Sequence, residues 1–417
     1  MSDLTDYKEQ IAEYIGQYAE QMLCEPSGIL SHPYIVPGSR FYSTTLWDWD
    51  SWMSNVALRQ YALTDSAFAA LLPRFELGCL QNFAEHTTPE GYMPICIEKS
   101  GQTLFKAPSA EHWSNMHKPV YAQHAAFLQS CGTEIPDTVL DTAVSFLTTY
   151  ETHFCHEATG LYFWQDDLAI GVDNDPCTYF RPEKSSGSIL LNSFLYREML
   201  ALGALYEHKD NMSAAMYWKQ KAAKLRAAVS RHCFDERDKC FYSVDLNLLP
   251  NQNITGLHSG APRDWECLLM RFDVWSNILP LWAGIADAGQ AEAVIKRFRE
   301  TNTYRARYGI RSLSRLEKMY DLSATNNPSN WRGPVWGVAN YLSWRAMLKY
   351  GYEEDAAWLA EATIRLFGQD IARTGTLHEY YHPDTGEAIM TPNFINWNAL
   401  VLNMAAYLDG KPCCFEF

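Results

Sequence analysis

The sequence lacks several features that would assign it to a common class of protein. Among its 417 residues, 34 Lys and Arg stand against 49 Asp and Glu, so the net charge is −15 and no basic excess is available to bind a polyanion. No apolar run approaches the ~18 to 20 residues that a membrane-spanning helix needs. The polar, acidic N-terminal stretch is unlike a secretory signal. We therefore expect no nucleic-acid partner, no membrane partner and a cytoplasmic location.

Motifs for metals, phosphates and dinucleotides are missing as well. The eleven cysteines form no C-x-x-C pair, and Cys413 and Cys414 are adjacent, which indicates reduced thiols rather than disulfides or a zinc site. The sequence contains no phosphate-binding loop, no dinucleotide fingerprint and no His-Cys cluster. We therefore predict a protein that uses no cofactor and no metal.

Tryptophan and helical periodicity are abundant instead. The chain has 14 Trp, and an indole ring suits the C–H face of a sugar, although large helical cores also use Trp as filler. Apolar residues recur at three- and four-residue steps, as in Trp218, Ala222, Leu225 and Val229, and this spacing predicts amphipathic helices.

Short turn units with a glycine or an aromatic residue recur along the chain. They lie at positions 91, 160, 239, 309 and 386. Each interval has room for about two helices of ordinary length, so the chain accommodates roughly six helix pairs. No Gly/Ser linker interrupts it. We predict an all-α fold, a single (α/α)6 barrel with short β-hairpin insertions in its loops, forming one domain over residues 1–417. Chance spacing of common turns is the alternative.

Four loop segments combine aromatic side chains with isolated charges. The densest, residues 47–52, alternates three Trp with two Asp, which suits stacking on a sugar and gripping its hydroxyls; a helix cap beside core Trp is the alternative. Residues 170–176 hold Asp173 between a Gly and a Pro, residues 330–336 place an Arg between two Trp, and residues 375–383 hold Glu379 among aromatics. Gln123 and residues 117–119 form a weaker fifth candidate. Two loop carboxylates in an aromatic setting fit glycosidic bond hydrolysis, while turn chemistry or solvated loops are the alternatives.

In these segments and their order, the sequence resembles glycoside hydrolase family 63 of the trehalase-like clan, and in length its compact mannosylglycerate and glucosylglycerate hydrolases. The resemblance implies that Asp173 is the general acid and Glu379 the general base of an inverting mechanism. It also implies a set of sugar-binding residues: Trp47, Trp49, Asp50, Gln123, Trp331, Arg332 and Trp336. The loop departs from the family's usual pattern at Asp175, which replaces a Ser, and at Cys177, and Asn330 stands where relatives often have an aromatic residue. These departures affect the expected aglycone.

The predicted function is hydrolysis of a small soluble α-glucoside or α-mannoside, such as glucosylglycerate or mannosylglycerate. An α-glucosidase or trehalase-like exo-hydrolase with a neutral aglycone is the alternative within the class. Two alternatives belong to other classes of protein. One is a non-catalytic sugar-binding protein, and the other is a cytosolic sugar 2-epimerase, whose paired bases would be His258 and His378. Three cations are candidates to hold an aglycone carboxylate, namely Arg181, Lys184 and Arg263. The sequence leaves open whether the protein forms a homo-oligomer.

Overall fold

The computed structural model describes residues 4–38, 42–109, 112–248, 263, 265–323 and 329–417, and helices dominate it. Within these residues the α-helices are α1 (Leu4–Ala19), α2 (Asp48–Ala62), α3 (Ser66–Leu71), α4 (Pro73–His86), α5 (Tyr121–Ser130), α6 (Asp137–His153), α7 (Ile189–His208), α8 (Met212–His232), α9 (Leu279–Ala283), α10 (Ala288–Phe298), α11 (Gly337–Lys349), α12 (Glu353–Thr374) and α13 (Val401–Leu408).

The helices form two layers that differ in burial. In α2, 13 of 15 residues are buried, and in α7, 15 of 20, so these helices are covered on nearly all sides. In α8 only five of 21 residues are buried, at three- and four-residue steps, as expected for a helix with one covered face. These five include Trp218, Ala222, Leu225 and Val229, which confirms that predicted face.

Neighbours in the sequence also pack as neighbours in space. Helix α7 packs against α5 and α8, and α11 packs against α9 and α12, while α1 lies against α12 near the other end of the chain. A well-covered inner helix thus alternates with a more exposed outer one along much of the sequence. The expectation of a helical fold is confirmed at this level.

The strands are two or three residues long and connect helices. Six antiparallel pairs are formed: β1 (Leu23–Cys24) with β2 (Tyr34–Ile35), β3 (Thr45–Trp47) with β4 (Cys96–Glu98), β5 (Cys155–His156) with β6 (Leu161–Tyr162), β8 (Phe234–Asp235) with β9 (Cys240–Phe241), β12 (Arg305–Ala306) with β13 (Gly309–Ile310), and β14 (Val335–Trp336) with β15 (Tyr380–Tyr381). One sheet of the described residues has three strands, in which β10 (Val244–Asp245) lies between β7 (Ser186–Gly187) and β11 (Leu268–Leu269). The residue at each of the five predicted turn positions has a positive φ. The predicted short hairpins are therefore present.

One hydrophobic cluster runs through most of the described chain, from Ile11 to Met404. Six of the 14 tryptophans are among its largest fully buried side chains, so much of the indole content does serve the core: Trp52, Trp164, Trp282, Trp331, Trp336 and Trp344. All eleven cysteines are free thiols. In the described part of the chain, no helix has the length and apolar character to cross a membrane.

Candidate active site

The first turn of α2 supplies the floor of a cleft. Asp48 follows strand β3 directly and is the first residue of α2. A carboxylate is favoured at this position because the N-terminus of a helix carries partial positive charge. Asp48 is buried, and its oxygens lie 3.0 and 3.1 Å from Nζ of Lys118, whose backbone N–H also donates to it at 2.9 Å. The same Nζ lies 5.3 Å from the ring centroid of Trp49. This buried ion pair holds the start of α2 against residues 117–119.

Asp50 projects from the same turn into the cleft. Its Oδ1 accepts a hydrogen bond from Nδ2 of Asn396 at 2.6 Å. Burial, and then the negative charge of Asp48, raise the pKa of Asp50 to about 7. A carboxyl group with this pKa can accept hydrogen bonds from sugar hydroxyls when ionised and donate one when protonated.

The loop that carries Asp173 is fixed on both sides of that residue. Gly171 has a φ of +87°, and a Cβ there would lie 2.5 Å from Cε of Lys118 and 2.9 Å from Cζ2 of Trp49. On the other side, Asn174 accepts the N–H of Trp331 at 2.9 Å and donates to Oδ1 of Asn330 at 3.2 Å. The loop therefore rests on the cleft floor at one end and is tied to residues 330–331 at the other.

Asn330 and Asp175, two of the positions that depart from the family pattern, both have structural partners. Asn330 bonds Asn174 and donates to the carbonyls of Asp321 and Ser323. Asp175 caps its own turn by accepting the N–H of Cys177 at 2.9 Å, and burial raises the pKa of Asp175 to about 6. Both side chains thus shape the Asp173 loop.

Glu379 also lines the cleft and stands immediately before β15. It is 6% exposed, and the hydroxyl of Tyr42 donates to its Oε1 at 3.5 Å. Burial raises the pKa of Glu379 to about 7, hydrogen bonds from Thr391 and Tyr42 oppose the shift, and the charge of Asp173 adds to it. The two carboxyl groups are therefore close enough to influence each other.

Around these groups lies a cavity of about 290 Å³ with seven aromatic side chains in its lining. The carboxyl groups at its surface are those of Asp50, Asp173 and Glu379, and the aromatic rings are those of Tyr42, Trp47, Trp49, Phe105, Trp336, Phe394 and Trp397. Lys118 also reaches the surface, but its charge is already paired with Asp48. The cleft thus offers ring faces, hydrogen-bonding carboxyls and little unpaired positive charge among its described residues.

Six of the nine predicted site residues line this cleft, and three do not. The six are Asp173, Glu379, Trp47, Trp49, Asp50 and Trp336. Trp331 is absent from the cleft lining and instead stacks on Trp336, with ring centroids 4.1 Å apart and planes 6° from parallel. Trp331 therefore supports an indole that faces the cleft rather than facing it itself.

Gln123 and Arg332 are the other two predicted residues that do not line the cleft. Gln123 is fully buried in α5; its Nε2 donates to the carbonyls of Pro119 and Phe194, and its Oε1 accepts from Nε of Arg197 at 3.2 Å. Nη2 of Arg332 pairs with Oδ2 of Asp321 at 3.0 Å. Protein groups therefore occupy the amide atoms of Gln123 and one guanidinium nitrogen of Arg332.

The side chains considered for other roles lie away from the cleft lining. Arg181 pairs with Asp245, Arg263 pairs with Glu266, and Lys184 is exposed with a φ of +59°. Nδ1 of His378 lies 2.8 Å from Asp370, and His378 does not line the cleft. His258 is outside the described residues.

Sequence reasoning missed several residues that do line the cleft or support it. Tyr42 lies five residues before the aromatic block at residues 47–52, and Lys118 belongs only to the weaker patch at residues 117–119. Phe394 and Trp397 lie at the cleft surface beside Asn396, the partner of Asp50. The sequence pattern that could have pointed to them is a run of Asn and aromatic residues at 393–397. Such a run resembles an ordinary helix start, and only the fold shows that it lies next to α2.

A buried carboxyl beside a second carboxyl, in an aromatic cleft at the ends of paired helices, defines the class: a glycoside hydrolase domain. Comparison with family models matches residues 43–397 to the mannosylglycerate hydrolase MGH1-like glycoside hydrolase domain. The chain belongs to this family, and the resemblance to family 63 is confirmed.

Individual relatives agree with this assignment. The chain is 30% identical over 144 residues to a probable mannosyl-oligosaccharide glucosidase of Schizosaccharomyces pombe, covering 31% of this chain and 17% of that protein. It is 29% identical over 225 residues to a mannosylglycerate hydrolase of Rubrobacter radiotolerans, covering 53% of this chain and 44% of that one. The matched parts thus span less than half the length of these curated relatives.

Among solved structures, the fold matches that of the family 63 mannosylglycerate hydrolase from Thermus thermophilus in complex with glucose. The TM-score is 0.66 at 20% identity, with 93% of this chain and 98% of that one covered. At this identity, the likeness shows a shared fold.

Proposed function

We propose that the protein is an inverting α-glycoside hydrolase for a small soluble α-glucoside or α-mannoside, such as glucosylglycerate or mannosylglycerate. The observation that carries the proposal is that Asp173 and Glu379 both line one aromatic cleft, with each carboxyl on a separately anchored segment. The names of the relatives, two of them mannosylglycerate hydrolases, support the substrate class.

In the proposed reaction, Asp173 protonates the departing glycosidic oxygen as the C1–O bond breaks. Glu379 takes a proton from a water that attacks C1 from the opposite face, so the sugar leaves with its anomeric configuration inverted. A general base must be ionised, and the pKa of Glu379, about 7, lies near the pH at which a base of this kind is most effective. Asp50 and the rings of Trp47, Trp49 and Trp336 bind the sugar.

The roles of the two carboxyls are tested by isosteric substitution. Asp173→Asn and Glu379→Gln should each lower kcat at least ~10²-fold, the usual size of a general acid or base contribution. Glu387→Gln, at an exposed residue in the turn after β15, is the matched control and should retain full activity. Near-normal turnover in both cleft variants would exclude this assignment.

The stereochemistry is tested by proton NMR of the fresh product. An inverting enzyme acting on an α-glycoside releases the β-anomer first, before mutarotation mixes the two forms. Early appearance of the α-anomer would indicate a retaining enzyme and refute the mechanism.

The cleft itself favours one alternative, a neutral aglycone. Among the described lining residues Lys118 is the one cation, and Asp48 neutralises it, while three carboxyl groups face the ligand. An α-glucosidase or trehalase-like activity is therefore the second candidate. Comparing kcat/KM for glucosylglycerate, mannosylglycerate, trehalose and methyl α-glucoside separates the two, because only the carboxylated substrates require a countercharge.

We further propose that the alternating inner and outer helices close into a single (α/α)6 barrel, forming one domain over residues 1–417. The two layers and the fold shared with the Thermus enzyme support this architecture. A single cooperative unfolding transition, coincident by circular dichroism and by tryptophan fluorescence, is the expected result. Two separated transitions would argue for two domains.

A further inference from the structure

Asn174 holds the chain immediately after Asp173. Its φ is +52°, in a region where Asn occurs more often than most residues other than glycine. Its Oδ1 accepts the N–H of Trp331 at 2.9 Å, and its Nδ2 donates to Oδ1 of Asn330 at 3.2 Å. Both polar atoms of this side chain are therefore bonded to residues 330–331.

Asn330 is likewise bonded at both polar atoms of its side chain. Its Oδ1 also accepts the N–H of Arg332 at 3.1 Å, while its Nδ2 donates to the carbonyls of Asp321 at 2.9 Å and Ser323 at 3.2 Å. Asn174 and Asn330, which we call the amide pair, are 3% and 0% exposed, so bulk water does not replace a partner that is lost. A buried polar network that is fully bonded in this way is rigid.

The amide pair is connected to the indole of Trp336. The backbone carbonyl of Asn330 accepts Nε1–H of Trp336 at 3.0 Å, and the ring of Trp336 stacks on Trp331, whose N–H is bound by Asn174. Asp173 and Trp336 both line the cleft. Two buried routes therefore lead from the residue next to Asp173 to an aromatic ring at the cleft surface.

Neither member of the amide pair lines the cleft, so the pair acts on a ligand only through its neighbours. Asn330 also stands where relatives often have an aromatic residue. An aromatic ring could not make the four hydrogen bonds of the Asn330 side chain. The amide pair is therefore a feature of this chain that the family pattern does not supply.

We propose that Asn174 and Asn330 are positioning residues, which hold the carboxyl group of Asp173 within reach of the glycosidic oxygen of a sugar bound against Trp336. The inference rests on the roles of Asp173 and Trp336 in the proposed function. A general acid must lie within hydrogen-bond distance of the atom that it protonates. Loss of the amide pair should therefore slow proton donation by Asp173 and leave binding of the sugar unchanged.

Two substrates with different leaving groups separate a misplaced acid from general damage to the enzyme. The first is the glycoside with the highest kcat/KM, whose leaving group needs a proton as the C1–O bond breaks. The second is the α-fluoride of the same sugar, which releases fluoride, a far weaker base that departs with little help from an acid. A misplaced Asp173 slows the first substrate and spares the second, whereas a loss of folded enzyme slows both.

The variants break the amide pair from either side. Asn174→Gly keeps the positive φ and removes both hydrogen bonds of that side chain, and Asn330→Ala removes the other half of the pair. In each variant kcat for the glycoside should fall about 10²-fold, as for a displacement of ~1 Å, while kcat for the fluoride and KM for both substrates stay near the wild-type values. The double variant should be no slower than the slower single variant, because both changes break the same link. Asp210→Gly, at an exposed residue with a φ of +57°, is the matched control and should keep both rates.

Asp173→Asn sets the scale of the effect, since it should slow the glycoside far more than the fluoride. An equal fall with both substrates in the amide-pair variants, or full activity of both single variants, would refute this inference alone. A wild-type protein that cleaves neither kind of substrate, or an Asp173→Asn variant that slows both equally, would refute the proposed function together with the inference.

Discussion

Replacing Gly171 with Ala tests whether the Asp173 loop is held by direct contact with the cleft floor. A Cβ at this position would lie 2.5 Å from Cε of Lys118 and 2.9 and 3.1 Å from Cζ2 and Cε2 of Trp49. Neither neighbour can yield easily. Lys118 is bound to Asp48, and the Trp49 ring packs between other aromatic rings, including that of Trp397 at 5.3 Å.

Two costs combine in this variant, and a second glycine separates them. At a φ of +87° an alanine is strained by about 1 to 2 kcal/mol, and the extra methyl in a filled space adds about 1 to 3 kcal/mol. Gly132 has a φ of +89° with nothing within 4 Å of the position that a Cβ would take, so Gly132→Ala carries only the strain. The difference between the two variants therefore measures the crowding alone.

The assay is urea unfolding combined with steady-state kinetics on the best glycoside substrate. If Lys118 and Trp49 keep their positions, Gly171→Ala should lower the free energy of unfolding by about 1 to 3 kcal/mol more than Gly132→Ala does. If the loop yields instead, Asp173 moves and kcat falls by about 10²-fold, as for a displacement of ~1 Å at a reacting group. Equal stability of the two variants together with full activity of both would refute the contact.

Three further predictions concern buried polar groups. Burial raises the pKa of Glu379 to about 7 from its usual 4.5, so its ionisation costs stability fully above pH 7, and the cost is relieved as the pH falls toward 4.5. The melting temperature of Glu379→Gln should therefore exceed that of the wild type at pH 8, and the difference should disappear below pH 4.5. Lys118→Met leaves Asp48 buried without its cation and should lower the free energy of unfolding by urea by about 3 to 5 kcal/mol. Adding Asp48→Asn should restore part of this loss. A double variant that is no more stable than Lys118→Met would contradict the ion pair. Gln123→Ala removes the acceptor for Nε of Arg197 and should lower the free energy of unfolding by about 1 to 3 kcal/mol. KM should stay unchanged. A raised KM would indicate that Gln123 contacts the substrate.

The helices were the most predictable part of the molecule, because burial on one face imposes a spacing that the sequence records. The buried face of α8 follows its apolar residues step for step. The positive φ at positions 160 and 309 likewise reflects turns that favour glycine. Such local signals need no knowledge of distant parts of the chain.

The site was predicted in part, because its chemistry is local but its geometry is not. Asp173 and Glu379 stand out as isolated acids among aromatics. By contrast, which of Trp331 and Trp336 meets the cleft depends on the turn at Gly333, where φ is +136° and the chain folds one indole behind the other.

Long-range partners explain the placement of Gln123 and Lys118. Gln123 is saturated by Arg197 and by two carbonyls, one of them 71 residues away, and no spacing rule reveals such a partner. The same holds for Lys118, whose buried partner Asp48 is 70 residues distant. A polar residue that binds substrate and one that binds the protein's own backbone look alike in sequence.

The cluster of indoles in and behind the cleft lining also gives the protein an intrinsic spectroscopic signal for ligand binding. Trp331 lies 4.1 Å from Trp336, 5.7 Å from Trp275 and 6.4 Å from Trp49, while Trp336 lies 6.2 Å from Trp397. At such separations excitation energy passes from ring to ring, so light absorbed by one member is emitted from the cluster as a whole. A ligand that touches only Trp336 or Trp397 would therefore change the emission and the near-ultraviolet circular dichroism of the entire set. Cleft occupancy can thus be followed without a label and without turnover.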